Sequence, residues 1–80
     1  MKNTVKVFSS SFCIACSALK QFLTEHGVEF EELDVFQDEK ARDEMIEKSK
    51  QMILPVVEIN GEIIVGFDKK KIVELLGIKE

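Results

Sequence analysis

The chain switches from a strand period to a helix period across Ser9-Ser10-Ser11, and this switch constrains its fold more than any other feature. Thr4 to Phe8 (Thr-Val-Lys-Val-Phe) is β-branched and aromatic and reads as a strand. From Cys13 onward, Ala15, Ala18, Leu19, Phe22 and Leu23 recur at helical spacing, with Ser17, Lys20, Gln21, Thr24 and Glu25 on the opposite face. A strand that feeds straight into a helix needs a crossover to reach its next partner. The following strand, read over Val28 to Val35, therefore lies parallel to the first through a right-handed connection, which requires an α/β sheet.

The remaining elements follow from local signals. Gly27 ends the first helix, and His26 before it suits the negative end of the helix dipole. Phe30, Leu33 and Val35 alternate among acids, as expected of an edge strand with charge facing water. Asp38 caps a second helix carrying Ala41, Met45 and Ile46, which fades by Gln51. Pro55 to Ile59 and Glu62 to Val65 flank Asn60-Gly61, the dipeptide suited to a two-residue type I′ hairpin. After Gly66-Phe67, Asp68 caps a last helix with Ile72, Val73, Leu75 and Leu76 inward and Gly77 closing it. The expected order is β-α-β-α-β-β-α: a four-stranded mixed sheet with three helices on its two faces, a single domain over residues 1–80. The Cys-bearing loop then lies at a strand's carboxyl end, where open α/β sheets place their chemistry.

A chain of 80 residues can build one core and buries about 60% of its unfolded surface. An apolar share of 45% beside a charged share of 32% fits a globule, and the absence of a long apolar run excludes a membrane span. Met1-Lys2-Asn3-Thr4 leads into the first strand without an apolar signal region, so the cytoplasm is the expected compartment. The net charge of −4 argues against a nucleic-acid partner. Acid concentrates between Glu25 and Glu47, where Lys40 and Arg42 are the only cations; this reads as a solvated face, the other reading being a surface that steers a basic partner.

Cys13 and Cys16, the only cysteines, stand in Cys13-Ile14-Ala15-Cys16 on the first turn of the helix. In a reducing compartment such a pair is catalytic, redox-sensing or metal-binding before it is a structural staple. Three residues apart, both sulfurs share one face, and unsatisfied N–H groups and the dipole stabilise a thiolate on Cys13. That thiolate attacks a disulfide, and the second thiol resolves the mixed disulfide. Phe12 and Ile14 are expected to desolvate Cys13 and oppose the dipole, giving moderate acidity. Asp68 is read as a helix cap, with proton transfer to Cys16 as its alternative role, and Lys69-Lys70-Lys71 as a solvated turn. Two alternatives stay open: metal or iron-sulfur binding, for which two thiolates need further ligands because His26 is at the far end of the helix, and a redox sensor, for which no bistable element is evident.

Val-Lys-Val-Phe-Ser, Cys-Ile-Ala-Cys, Gln-Met-Ile-Leu-Pro-Val-Val, Ile-Asn-Gly and Val-Gly-Phe-Asp, in this order, resemble the thioredoxin fold and, within it, small glutaredoxin-like redoxins of the YruB and NrdH types. The resemblance implies a protein-disulfide oxidoreductase and electron carrier with Cys13 as the exposed nucleophile, Cys16 as resolving thiol and Pro55 as a cis proline packed beside them. It implies that the backbone of Leu54 pairs with an extended substrate, and that Phe12, Ile14, Gly66, Phe67 and Asp68 complete the substrate site. It implies no bound cofactor and no metal. Most glutaredoxins carry Cys-Pro-Tyr-Cys, an upstream lysine and a Gly-Gly turn that help to hold glutathione. This chain has Ile14-Ala15, Ser10 and Val65-Gly66-Phe67 instead, so a thioredoxin-reductase-like flavoprotein is the expected electron donor and glutathione the alternative. Protein disulfides, such as those of ribonucleotide reductase or a peroxidase, are the expected substrates of a monomer.

Overall fold

Alternation along the strands sorts the apolar side chains into two layers. A computed structural model describes residues 4–78; the Met1-Lys2-Asn3 lead lies outside the described residues. The elements are β1 (Val5–Ser9), α1 (Ile14–Glu25), β2 (Glu31–Asp34), α2 (Glu39–Ser49), β3 (Val56–Ile59), β4 (Glu62–Val65) and α3 (Lys69–Leu76). They form a four-stranded sheet in the order β2-β1-β3-β4, with β1 parallel to β2 and antiparallel to β3, and β3 antiparallel to β4. This is the expected mixed thioredoxin-like sheet with β2 at one edge.

Val5, Val7, Val57, Ile59 and Ile64 face one way and bury Leu19, Phe22 and Leu23 of α1 with Ile72 of α3. Phe8 and Val56 face the other way, with Val35, against Ala41 and Met45 of α2. Each large apolar side chain fully buried contributes about 1.5–3 kcal/mol, so these two layers dominate the stability. The buried stripe of α1 runs Cys16, Leu19, Phe22, Leu23, whereas Ala15 and Ala18 are exposed. The helix is therefore rotated from the face that its alanines suggested, because the larger side chains fill the sheet's surface and methyl groups cost little in water.

Asp38 and Asp68 cap α2 and α3, accepting from Lys40, Ala41 and Lys71 amides. Lys69–Lys71 form the exposed first turn of α3, the solvated turn that was expected. Asn60 and Gly61 both have positive φ, 51° and 91°, as a type I′ turn requires, and Asn60 is tied to Thr4 in both directions. Strand β2 is shorter than the read span because Val28 closes the end of α1 through a bond to Leu23, leaving the ladder to begin at Glu31.

Lys6 and Glu58, opposite each other on β1 and β3, also face α2. Glu44 accepts from Lys6 at 3.1 Å and from Lys48 at 2.9 Å, and Lys48 reaches Glu58 at 2.6 Å. Partly exposed pairs of this kind contribute about 0–1 kcal/mol each, so they orient α2 over the sheet more than they stabilise it. Hydrogen bonds from Lys48 and then Lys6 hold the Glu44 carboxyl below its ordinary value; those to Glu58 and then Glu44 raise the Lys48 ammonium. A carboxyl whose folded pKa is depressed contributes stability above its unfolded pKa and loses it as pH falls through the folded value. The thermal midpoint, followed by circular dichroism, is expected to fall as pH is lowered from about 6 to about 3. Glu44→Gln should be less stable than the parent at the upper pH and show a shallower acid limb; identical limbs would remove the network from this account.

Candidate functional site

The loop that leaves β1 turns within a few residues because its polar groups are satisfied internally. Ser9 and Ser10 are buried; the Ser9 hydroxyl donates to Glu32 at 3.2 Å, Glu32 also pairs with Lys20, and Ser10 accepts from the Cys13 amide at 3.3 Å. Cys13 is the N-cap of α1, in extended backbone with φ −96°. Its sulfur stands where a capping oxygen is usual and accepts from the Cys16 amide at 3.1 Å. Its carbonyl accepts from Ser17 at 3.3 Å, the first intrahelical bond.

Cys13 and Cys16 are joined in a disulfide with their Cα atoms 5.2 Å apart. The two sulfurs differ in surroundings. Cys13 is half-buried, whereas Cys16 is 0% exposed, as the first residue of the α1 stripe against the core. An incoming group can therefore reach one sulfur and not the other. Phe12 and Ile14 are 84% and 88% exposed, so they project into solvent and do not cover Cys13 as the sequence suggested. The reason is the cap: a residue that turns the chain into a helix sends its neighbours outward while its own side chain folds back over the first turn.

The strand order brings the remaining candidates to the same end of the sheet. Parallel β1 and β2 end there, antiparallel β3 begins there, and β4 ends there. Leu54-Pro55 enters β3 with a cis peptide bond, and Pro55 is fully buried. Among the described residues no backbone hydrogen bond engages Leu54. Gly66, with φ 82°, donates to the Pro55 carbonyl at 2.7 Å, and Phe67 packs on Phe22 with ring centroids 5.8 Å apart. The Asp68 carboxylate accepts from the Lys71 amide at 3.2 Å as the cap of α3.

Sequence reasoning passed over three side chains at this end. Phe36, on the turn after β2, is 69% exposed, and Met52 and Ile53, before Leu54, are 62% and 64% exposed. Together with Phe12, Ile14 and Val65 they are the large apolar residues left in solvent among the described residues. The available signal was an aromatic one residue past the end of the edge strand, followed by Gln37 and Asp38.

His26 closes α1 with its ring on Phe22, 4.3 Å between centroids, and its Nδ1 against the Phe22 carbonyl at 2.9 Å. That is about 20 Å along the helix from Cys13. Among the described residues no three His, Cys, Asp or Glu side chains gather in a metal-holding group, and no helix is long and apolar enough to cross a membrane.

The family model described as Glutaredoxin matches residues 5–64. An uncharacterized glutaredoxin-like 8.6 kDa protein in the rubredoxin operon of Clostridium pasteurianum is 39% identical over 72 residues, covering 90% of this chain and 96% of the relative. A crystal structure of a thioredoxin-like protein superposes with a TM-score of 0.90 at 33% identity, covering 94% of this chain and 96% of the other. The NrdH-redoxin of Escherichia coli, described as a glutaredoxin-like protein with a thioredoxin-like activity profile, gives a TM-score of 0.79 at 25% identity, covering 90% and 93%.

After reduction and brief treatment with iodoacetamide at neutral pH, peptide mass spectrometry is expected to find the label on Cys13 well before Cys16. Equal labelling in the folded protein would contradict the burial that separates the two sulfurs.

Proposed function

The chain belongs to the glutaredoxin family, and from that premise we propose that it reduces protein disulfides by a dithiol mechanism and is re-reduced by a thioredoxin-reductase-like flavoenzyme. The pair Cys13–Cys16 is the redox centre of this disulfide oxidoreductase. The observation that carries the proposed mechanism is the unequal burial of two sulfurs held on one helical turn.

The Cys13 thiolate attacks one sulfur of the client disulfide; that S–S bond breaks, and the departing client sulfur takes a proton from solvent. Cys16 then gives up its proton and attacks the Cys13 sulfur. The mixed disulfide breaks, the Cys13–Cys16 bond forms, and the second client thiol is released with a proton. Two electrons have passed to the client, and the flavoenzyme returns two to the protein. Leu54, whose backbone has no partner within the described chain, pairs with the client segment beside Cys13, while Phe12, Ile14, Gly66 and Phe67 border it. Asp68 supports this border by capping α3.

Two features favour a flavoenzyme donor. Ser10, at the place where glutaredoxins carry a lysine, is buried and offers no cation, and a charged contact of that kind is worth roughly 1.5–3 kcal/mol. The Escherichia coli NrdH-redoxin, a structural neighbour, has the thioredoxin-like activity profile that its description states. Reduction by glutathione is the second reading, favoured by a shallow depression on α3 lined by Asp68, Lys70, Lys71 and Glu74, where two ammonium groups face solvent. We place the protein in the cytoplasm, with protein clients such as ribonucleotide reductase or a peroxidase.

NADPH-driven insulin reduction with thioredoxin reductase is expected to proceed, and turnover of a glutathione mixed disulfide by glutathione to be slow. Activity in the second assay alone would assign the protein to glutathione. Cys16→Ser should abolish insulin reduction and trap the client as a mixed disulfide on Cys13, visible by mass spectrometry.

A further inference from the structure

Phe36 has no part in either core layer, yet its position is tightly built. Val35 before it is buried, and its amide donates to the Ser9 carbonyl at 3.0 Å, extending the β1–β2 pairing to the turn. The Asp34 carboxylate accepts from the Phe36 amide at 2.9 Å and from Gln37 at 3.3 Å, and the Asp34 carbonyl accepts from Asp38 at 2.9 Å. A turn so satisfied holds the Phe36 ring outward, 69% exposed, against the edge of Phe12 with centroids 5.9 Å apart. The order of strands places this aromatic pair on the β2 side of Cys13 and Leu54 on the β3 side. Leaving two aromatic rings in water forfeits their burial, and rigid, exposed aromatics beside a reacting group are what protein interfaces use as anchors. The neighbouring charge is mostly acidic: Asp38 and Glu39 are exposed beside Phe36, with Lys40 following on α2.

Resting on the function proposed above, we propose that Phe36 is a specificity-determining residue: with Phe12 it forms an aromatic lip that engages a client segment carrying an apolar residue near its disulfide and a basic residue beyond it. A small disulfide reaches Cys13 without touching this lip, so Phe36 separates protein clients from small ones. Asp38 and Glu39 attract the basic flank, which gives the acidic side of the molecule a partner of matching charge. A second copy of this chain is a poor occupant, since the same acids would face each other.

The test uses reduced, desalted protein in single-turnover reactions with oxidised insulin and with hydroxyethyl disulfide. Phe36→Ala is expected to slow insulin by about fivefold, the range an aromatic contact supplies, and to leave hydroxyethyl disulfide within about twofold. Phe36→Trp should restore the insulin rate. A wild-type preference for a disulfide-linked peptide with a lysine flank over its glutamate counterpart should shrink in about 0.5 M salt. Equal slowing with both disulfides, no slowing with either, or no lysine preference would overturn the proposal, as would a change in sedimentation showing that Phe36 joins two copies. Wild-type protein unable to reduce insulin would instead remove the function on which the inference rests.

Discussion

The hydrogen bond from the Cys16 amide to the Cys13 sulfur ties the fold to the chemistry, because one atom serves as helix cap and as reactive group. A helix needs an acceptor at its first turn, and a neutral sulfur is a weak one. A thiolate is better, since charge strengthens the bond and the dipole adds to it. Reduction followed by ionisation therefore improves the cap that the folded helix demands. The geometry holds only because Leu19, Phe22 and Leu23 anchor α1 against Val5, Val7 and Val57, fixing the helix start at the end of β1.

Cys16 belongs to both systems. It is the first member of the buried stripe of α1 and, in the proposed mechanism, the resolving partner of the pair, so the packing that stabilises the helix also shields the second sulfur from solvent. This is the structural basis of the proposed order of events, and it needs no moving part: one sulfur is accessible and the other meets only its neighbour. The sheet reinforces the same order by collecting the end of β1, the start of β3 and the ends of β2 and β4 at one pole, where apolar side chains remain uncovered.

Departures from the sequence reading have a common cause. The α1 stripe was read through Ala15, Ala18, Leu19, Phe22 and Leu23; the structure buries the last three as read but takes Cys16 in place of the two alanines, because large side chains compete better for the sheet than methyl groups. Phe12 and Ile14 were read as covering Cys13 and point outward, because the cap residue alone folds back over the turn. In both cases the elements were read correctly and the margins of their buried faces were not. Periodicity fixes which residues share a face; only packing selects which face is buried.

What the amino acids determined alone was local: the strand-to-helix switch at Ser9-Ser10-Ser11, the caps at Asp38 and Asp68, the Asn60-Gly61 turn and the cysteine spacing, each set by backbone preferences and hydrogen bonds within a few residues. The order of strands and helices extended this to a mixed sheet, and the resemblance of ordered motifs to the cis bond at Pro55. Tertiary structure alone decided how completely Cys16 is enclosed, the charged network between α2 and the sheet, and the meeting of Phe36 with Phe12 across β1 and β2. Those depend on residues distant in the chain coming into contact, and such contacts are chosen by the competition for buried surface among all elements at once.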